Sequence, residues 1–210
     1  MGWRRRAARP PVQASPPCGT RPPSRGHAAR MDGNLVGHDL RLGLGRPPDD
    51  AARIAAVQGV LATLHTAVSA AWAGAAWEWM HGPDTVPRVV AAVARRSAAH
   101  VPSTEGGSDD HYGPLGYLLA RAGAWQLAFS VEVHVAWRGD WHVAIEPRLR
   151  IVRLFGLLTS HRLPGSRELD APTAAALSGV LRQVAQARGP AASIVPGNPH
   201  WQRAELLVFP

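Results

Sequence analysis

Between Phe129 and Glu146 the chain alternates so strictly that little besides an antiparallel hairpin can use it. Phe129, Val131, Val133, Val135 and Trp137 are interleaved with Ser130, Glu132, His134, Ala136 and Arg138. After Gly139-Asp140, Trp141, Val143 and Ile145 are interleaved with His142, Ala144 and Glu146. Successive strand residues point to opposite faces, so each segment carries one apolar and one polar face. A two-residue turn would set Trp137 against His142 and mix the faces, because a slip of one residue reverses every side chain. The three-residue loop Arg138-Gly139-Asp140 pairs Trp137 with Trp141 and Val135 with Val143, and keeps the valine face uniform. On the polar face, that register places Glu132 opposite Glu146 and makes His134 and His142 diagonal neighbours.

Helical periods flank the hairpin. Asp49 and Asp50 open a long helix that Gly82-Pro83 is expected to close, with Ile54, Val57, Leu61, Leu64, Val68, Ala71 and Ala75 spaced by three and four. No formal charge falls between Ile54 and Trp77. A membrane span has that length, but Gln58, His65, Thr63, Thr66, Ser69 and many alanines make the segment weakly hydrophobic, so a buried helix and no membrane are expected. Trp72, Trp77, Trp79 and Met80 mark its end as a contact surface. A second helix carries Pro87 in its first turn, Val86, Val89, Val90 and Val93 on one face, and Arg95-Arg96 near its C-terminus. With the first it reads as a helical hairpin joined by His81-Gly82-Pro83-Asp84.

Pro102–Asp110 reads as a polar loop, Pro114–Ala122 as a short helix ended by Gly123, and Pro147 as a strand edge or break. Leu149–Phe155 reads as a strand whose phase slips between Ile151 and Val152, as at a bulge. Asp170 caps a third helix with the stripe Leu177, Val180, Leu181 and Val184, which Gly189-Pro190 ends. Pro196–Pro199 is a turn and Arg203–Phe209 a closing strand. Strands and helices are grouped rather than alternating. The expected fold is therefore α+β: an antiparallel sheet of about four strands with helices on one face. This arrangement resembles small secretion-chaperone-like and accessory domains at the level of the fold alone, with no residue motif behind it.

The chain has no lysine, so all 23 basic residues are arginine. That excludes a P-loop ATPase, a pyridoxal-phosphate enzyme and a protein kinase, each of which needs a particular lysine. Such a bias also arises from GC-rich coding, so the high pI is no direct sign of a nucleic-acid ligand. Residues 1–30 hold seven arginines and no acid, whereas the remaining 180 hold sixteen arginines against all fifteen acids. A near-neutral body offers little field for a polyanion, so nucleic-acid binding is expected only through the tail. Six prolines and no apolar period make residues 1–34 a disordered arm, with 35–210 a single domain. Met31 as a start and an organellar transit peptide are the other readings of that arm. The one cysteine, Cys18, lies in it, which fits a reducing, cytoplasmic setting.

No HExxH, GxSxG, CxxC or complete GxGxxG occurs, and no motif asks for a cofactor. Three weaker clusters remain. His134, His142, Glu132 and Glu146 are donor types that hold Zn²⁺ or move a proton, although a solvated sheet face has the same alternation. Asp109, Asp110 and His111 follow a glycine loop and suit a metal or general-base role as well as plain turn chemistry. Arg148, Arg150 and Arg153 could clamp an anion or simply defend a strand edge. The leading expectation is a non-catalytic binding or protein-interaction domain, accessory or chaperone-like, with a protein partner or second copy seated on the helix within 50–80. A small metal-dependent hydrolase or isomerase using the hairpin histidines is the alternative. Nucleic-acid binding by the basic arm is a further one.

Overall fold

The computed structural model describes residues 35–99, 111–123, 125–136, 139–154, 157–162, 169–197 and 205–207, with 149–162 and 205–207 described by backbone only. The expected disordered arm and the Pro102–Asp110 loop lie outside these residues. Along the chain run β1 (His38–Gly45), α1 (Asp50–Ala71), β2 (Ala76–Trp79), a 3-10 turn at Gly82–Asp84, α2 (Thr85–Ala98), β3 (His111–Ala122), β4 (Trp125–Val135), β5 (Trp141–Leu154) and β6 (Leu157–Arg162). Then come α3 (Ala171–Arg188), a second 3-10 turn, β7 (Ala192–Pro196) and β8 (Glu205–Leu207).

The α+β reading holds, with more strands than the four expected. All eight join one sheet in the order β2-β3-β4-β5-β1-β7, with β6 paired to β5 and β8 to β6. Every pairing is antiparallel. Pro147 lies inside β5, where that strand changes partner on one side from β1 to β6. There a missing N–H is tolerated more easily than in an unbroken ladder. The slip expected after Ile151 is present as a register shift between Ile151 and Leu154.

One face of the sheet is the core. Leu118, Phe129, Val131, Val133, Val143, Ile145, Leu40 and Leu42 are wholly or almost wholly buried there with the helices. From α1 come Val57, Val60, Leu61, Leu64, Ala67 and Val68; from α2, Val86, Val89, Val90 and Val93; from α3, Leu177, Val180, Leu181 and Val184. The α2 and α3 stripes read from the sequence are the ones buried. By length and composition α1 could cross a membrane, at mean hydropathy 1.5, yet a third of that window is buried inside the fold.

The β4–β5 register differs from expectation by two residues. Val135 pairs with Trp141, Val133 with Val143 and His134 with His142. The loop therefore holds five residues, closed by Ala136 N–H donating to the Asp140 carbonyl and Gly139 N–H donating to the Ala136 carbonyl. A shift of two preserves which side chain faces the core, so alternation could not separate the two registers. Arg46 reinforces the longer loop with Nε and Nη2 bonds to the Asp140 carboxylate at 2.9 and 3.2 Å. Trp141 therefore sits under the Arg53 guanidinium, 5.1 Å from its ring centroid, instead of opposite Trp137.

Two helical expectations are corrected. Residues 114–122 form most of β3, where a bulge between Pro114 and Gly116 interrupts the alternation. Across the bulge the buried leucines Leu115 and Leu118 are three apart, as on a helix turn, whereas Leu118, Ala120 and Ala122 beyond it alternate. The long helix stops at Ala71, with Trp72 in extended conformation, and 76–79 is a strand. The two helices consequently do not form a simple hairpin.

Asp170 caps α3 by accepting the Thr173 N–H at 2.8 Å, and that bond holds its carboxyl below the ordinary value. A carboxyl with a lowered folded pKa stabilises the fold above its unfolded pKa, and the contribution is lost as pH falls through the lower folded value. Asp170→Ala should therefore be less stable near neutrality, with the difference shrinking below about pH 4. Urea denaturation at several pH values checks this.

Candidate functional site

The face of the sheet opposite the core gathers the hairpin residues. His134 and His142 are directly opposed, not diagonal, with ring centroids 4.8 Å apart and planes 16° from parallel. Tyr112 of β3 extends the stack across a third strand, 5.6 Å from His134. His134 Nε2 donates to Glu132 Oε2 at 3.2 Å. Glu132 itself faces Ala144, while Glu146 faces Ser130 and accepts from Arg148 Nη2 at 2.9 Å.

This geometry bears on the metal reading. A coordinated ion lies in the plane of each imidazole, along the nitrogen lone pair. Two near-parallel stacked rings aim their lone pairs side by side, so they converge on no common point without a rotamer change. Among the described residues, no group of three His, Cys, Asp or Glu side chains is placed to hold an ion. His111 opens β3 opposite Val135. Asp109 and Asp110 lie outside the described residues, as do the side chains of Arg150 and Arg153. Arg148 is engaged by Glu146, so it is not the open anion clamp its strand position suggested. As a cross-strand stack, the pair should matter modestly: His142→Ala is expected to cost less than about 1 kcal/mol in chemical denaturation.

On the helix side a second surface is assembled from α1, β2 and the start of α2. From Ile54 onward α1 carries no formal charge on any side, yet Ala55, Gln58, Gly59, Ala62, Thr66, Ser69 and Ala70 are exposed. A surface helix ordinarily turns charged residues outward. Beside this face runs a groove of about 430 Å³ lined by Leu61, His65, Thr66, Trp77, Trp79 and Val86 among others, none of them formally charged. Trp77 and Trp79 form its aromatic wall. Their side chains lie on the same side of β2 and stack at 4.6 Å and 13°. Gly116 pairs with Trp79, and its lack of a side chain lets β2 and β3 approach closely at that point.

A larger groove, about 610 Å³, runs along the other side of α2. It carries Arg88, Arg95, Arg96 and His81, meets β3 at Gly113 and Pro114, and contains no acid among its described lining residues. Pro87 lines both grooves, so they adjoin over the first turn of α2. The clustering of the tryptophans was legible in the sequence, whereas the arginine groove and the stacking of Tyr112 on His134 were not. No protein-family model matches the chain, and neither a curated protein nor a solved structure matches it significantly.

Proposed function

We propose that this chain is a non-catalytic protein-interaction domain, of accessory or chaperone-like type, whose partner seats on the outward face of α1 and in the tryptophan groove beside it. The observation that carries the reading is the exposed face of α1, uncharged from Ile54 onward, opening into a groove walled by a stacked Trp pair. Aromatic anchors in an apolar recess supply most of the energy in protein interfaces, and depletion of charge marks their centres. The lone thiol in the N-terminal segment fits a cytoplasmic, reducing setting.

A catalytic reading has less support, because among the described residues the stacked histidines are joined by no convergent nucleophile, base and oxyanion donors. The test is the size of the protein in native extracts of the cells that make it. Wild type should migrate well above its own 22.4 kDa. Ala62→Glu with Thr66→Glu should shift it to the monomer position while circular dichroism stays unchanged. A wild type that runs as a monomer, or a complex indifferent to both charges, contradicts the proposal.

A further inference from the structure

We infer that the partner segment is acidic as well as apolar, with its carboxylates received by Arg88, Arg95 and Arg96 of the α2 groove. The inference rests on the interaction reading above and adds the chemistry of the partner. Three guanidiniums and His81 line one groove with no acid among its described lining residues. Among the described residues, neither Arg88 nor Arg95 is ion-paired, and both side chains are exposed. Arg96 is already oriented: its Nη2 donates to the Tyr112 carbonyl at 2.8 Å and its Nε to the Ala92 carbonyl at 3.4 Å. The guanidinium is thereby fixed between α2 and β3, with donors left over.

Helix electrostatics sharpen the argument. Arg95 and Arg96 lie in the last turn, where the macrodipole favours cations. Arg88 is the fourth residue of α2, at the end where a cation is disfavoured, and it lies on the same face as Arg95 and Arg96. Among the described residues no ion pair holds Arg88, and a carboxylate partner would supply one through charge-assisted and bidentate hydrogen bonding. Because Pro87 borders both grooves, one short segment can place an apolar side chain against Trp77 and Trp79 and its acids against the arginines.

The experiment uses the full chain and two capped hexapeptides, each with a Trp-Leu centre flanked on both sides by two Glu or by two Lys. Binding is followed by calorimetry, with a twelve-residue oligothymidylate as a third probe. The Glu peptide should bind, and Arg88→Glu with Arg95→Glu should weaken it by about tenfold or more. The same variant should gain affinity for the Lys peptide. Arg121→Glu, an exposed change on the other face of the sheet, controls for general charge and should leave binding unchanged. Equal binding of both peptides, equal loss with Arg121→Glu, no binding of either peptide, or preferential capture of the oligonucleotide by the α2 arginines overturns the inference. If both peptides bind equally and Trp79→Ala removes both, acid selection fails while the interaction surface stands. If only the Glu peptide binds and the native-size test fails, the arginine groove stands without a stable protein partner.

Discussion

Gly116→Ala should lose about 3 kcal/mol of stability, from backbone strain of 1–3 kcal/mol together with a steric overlap of similar size. Gly116 has φ +141°, a region that residues with a Cβ rarely adopt. It follows the β3 bulge and pairs with Trp79 on the edge strand β2. A Cβ built there would overlap the Glu78 carbonyl oxygen and lie 3.1 Å from Trp79 Cα. Both contacts are backbone, so neither can swing aside as a flexible side chain would. Relief requires β2 to move away from β3, which opens the tryptophan groove. The variant should therefore lose binding at that groove along with stability. Thermal denaturation and Trp fluorescence measure the two effects separately, and a stability near wild type with unchanged Trp emission contradicts this placement of β2.

Phe129→Ala should be at least as damaging, at about 3–5 kcal/mol, because it empties the centre of the core. Phe129 has no exposed surface and lies opposite Leu118 in β3 and Pro147 in β5. Its ring meets Trp72 at 6.2 Å, in a tilted arrangement, where α1 ends. Neighbours on the two flanking strands and at the end of α1 cannot all collapse into the space at once, so a cavity remains. Phe129→Leu should recover most of the loss, since a smaller volume is removed. Calorimetric or urea midpoints check the ranking. An Ala variant no worse than the Leu variant contradicts the central position given to this ring.

Those two residues also show what the sequence made legible. Phe129 belongs to the alternating run, and its burial followed from period alone, as did the α2 and α3 stripes. Gly116 was hidden because a bulge breaks the alternation, and the apolar spacing on either side then imitates a helix turn. β1 and β7 were missed for another reason. β7 is short and ends in proline, and β1 sets Leu40, Leu42 and Leu44 among glycines and polar residues without a second strand nearby in the chain; they become strands by pairing with β5 and with each other. The site divides in the same way. His134 and His142 were placed on one face correctly, but whether they met diagonally or directly depended on a loop length that pattern cannot fix. The arginine groove exists only because α2 lies against the start of β3. At Gly113 that approach is so close that a Cβ would stand 2.6 Å from Val89 Cγ1. Such proximity between residues twenty-four apart has no local signature.

The central claim, that the outward face of α1 is covered by a protein partner, is tested most directly by photo-crosslinking in the producing cells. A benzophenone amino acid would replace Ala62 in one variant and Arg121 in another, the two sites being exposed on opposite faces. The account predicts one adduct of defined mass from position 62, its loss when Trp79→Ala is added, and no matching adduct from position 121. Equal labelling from both positions, or none from position 62 in a folded protein, would contradict it.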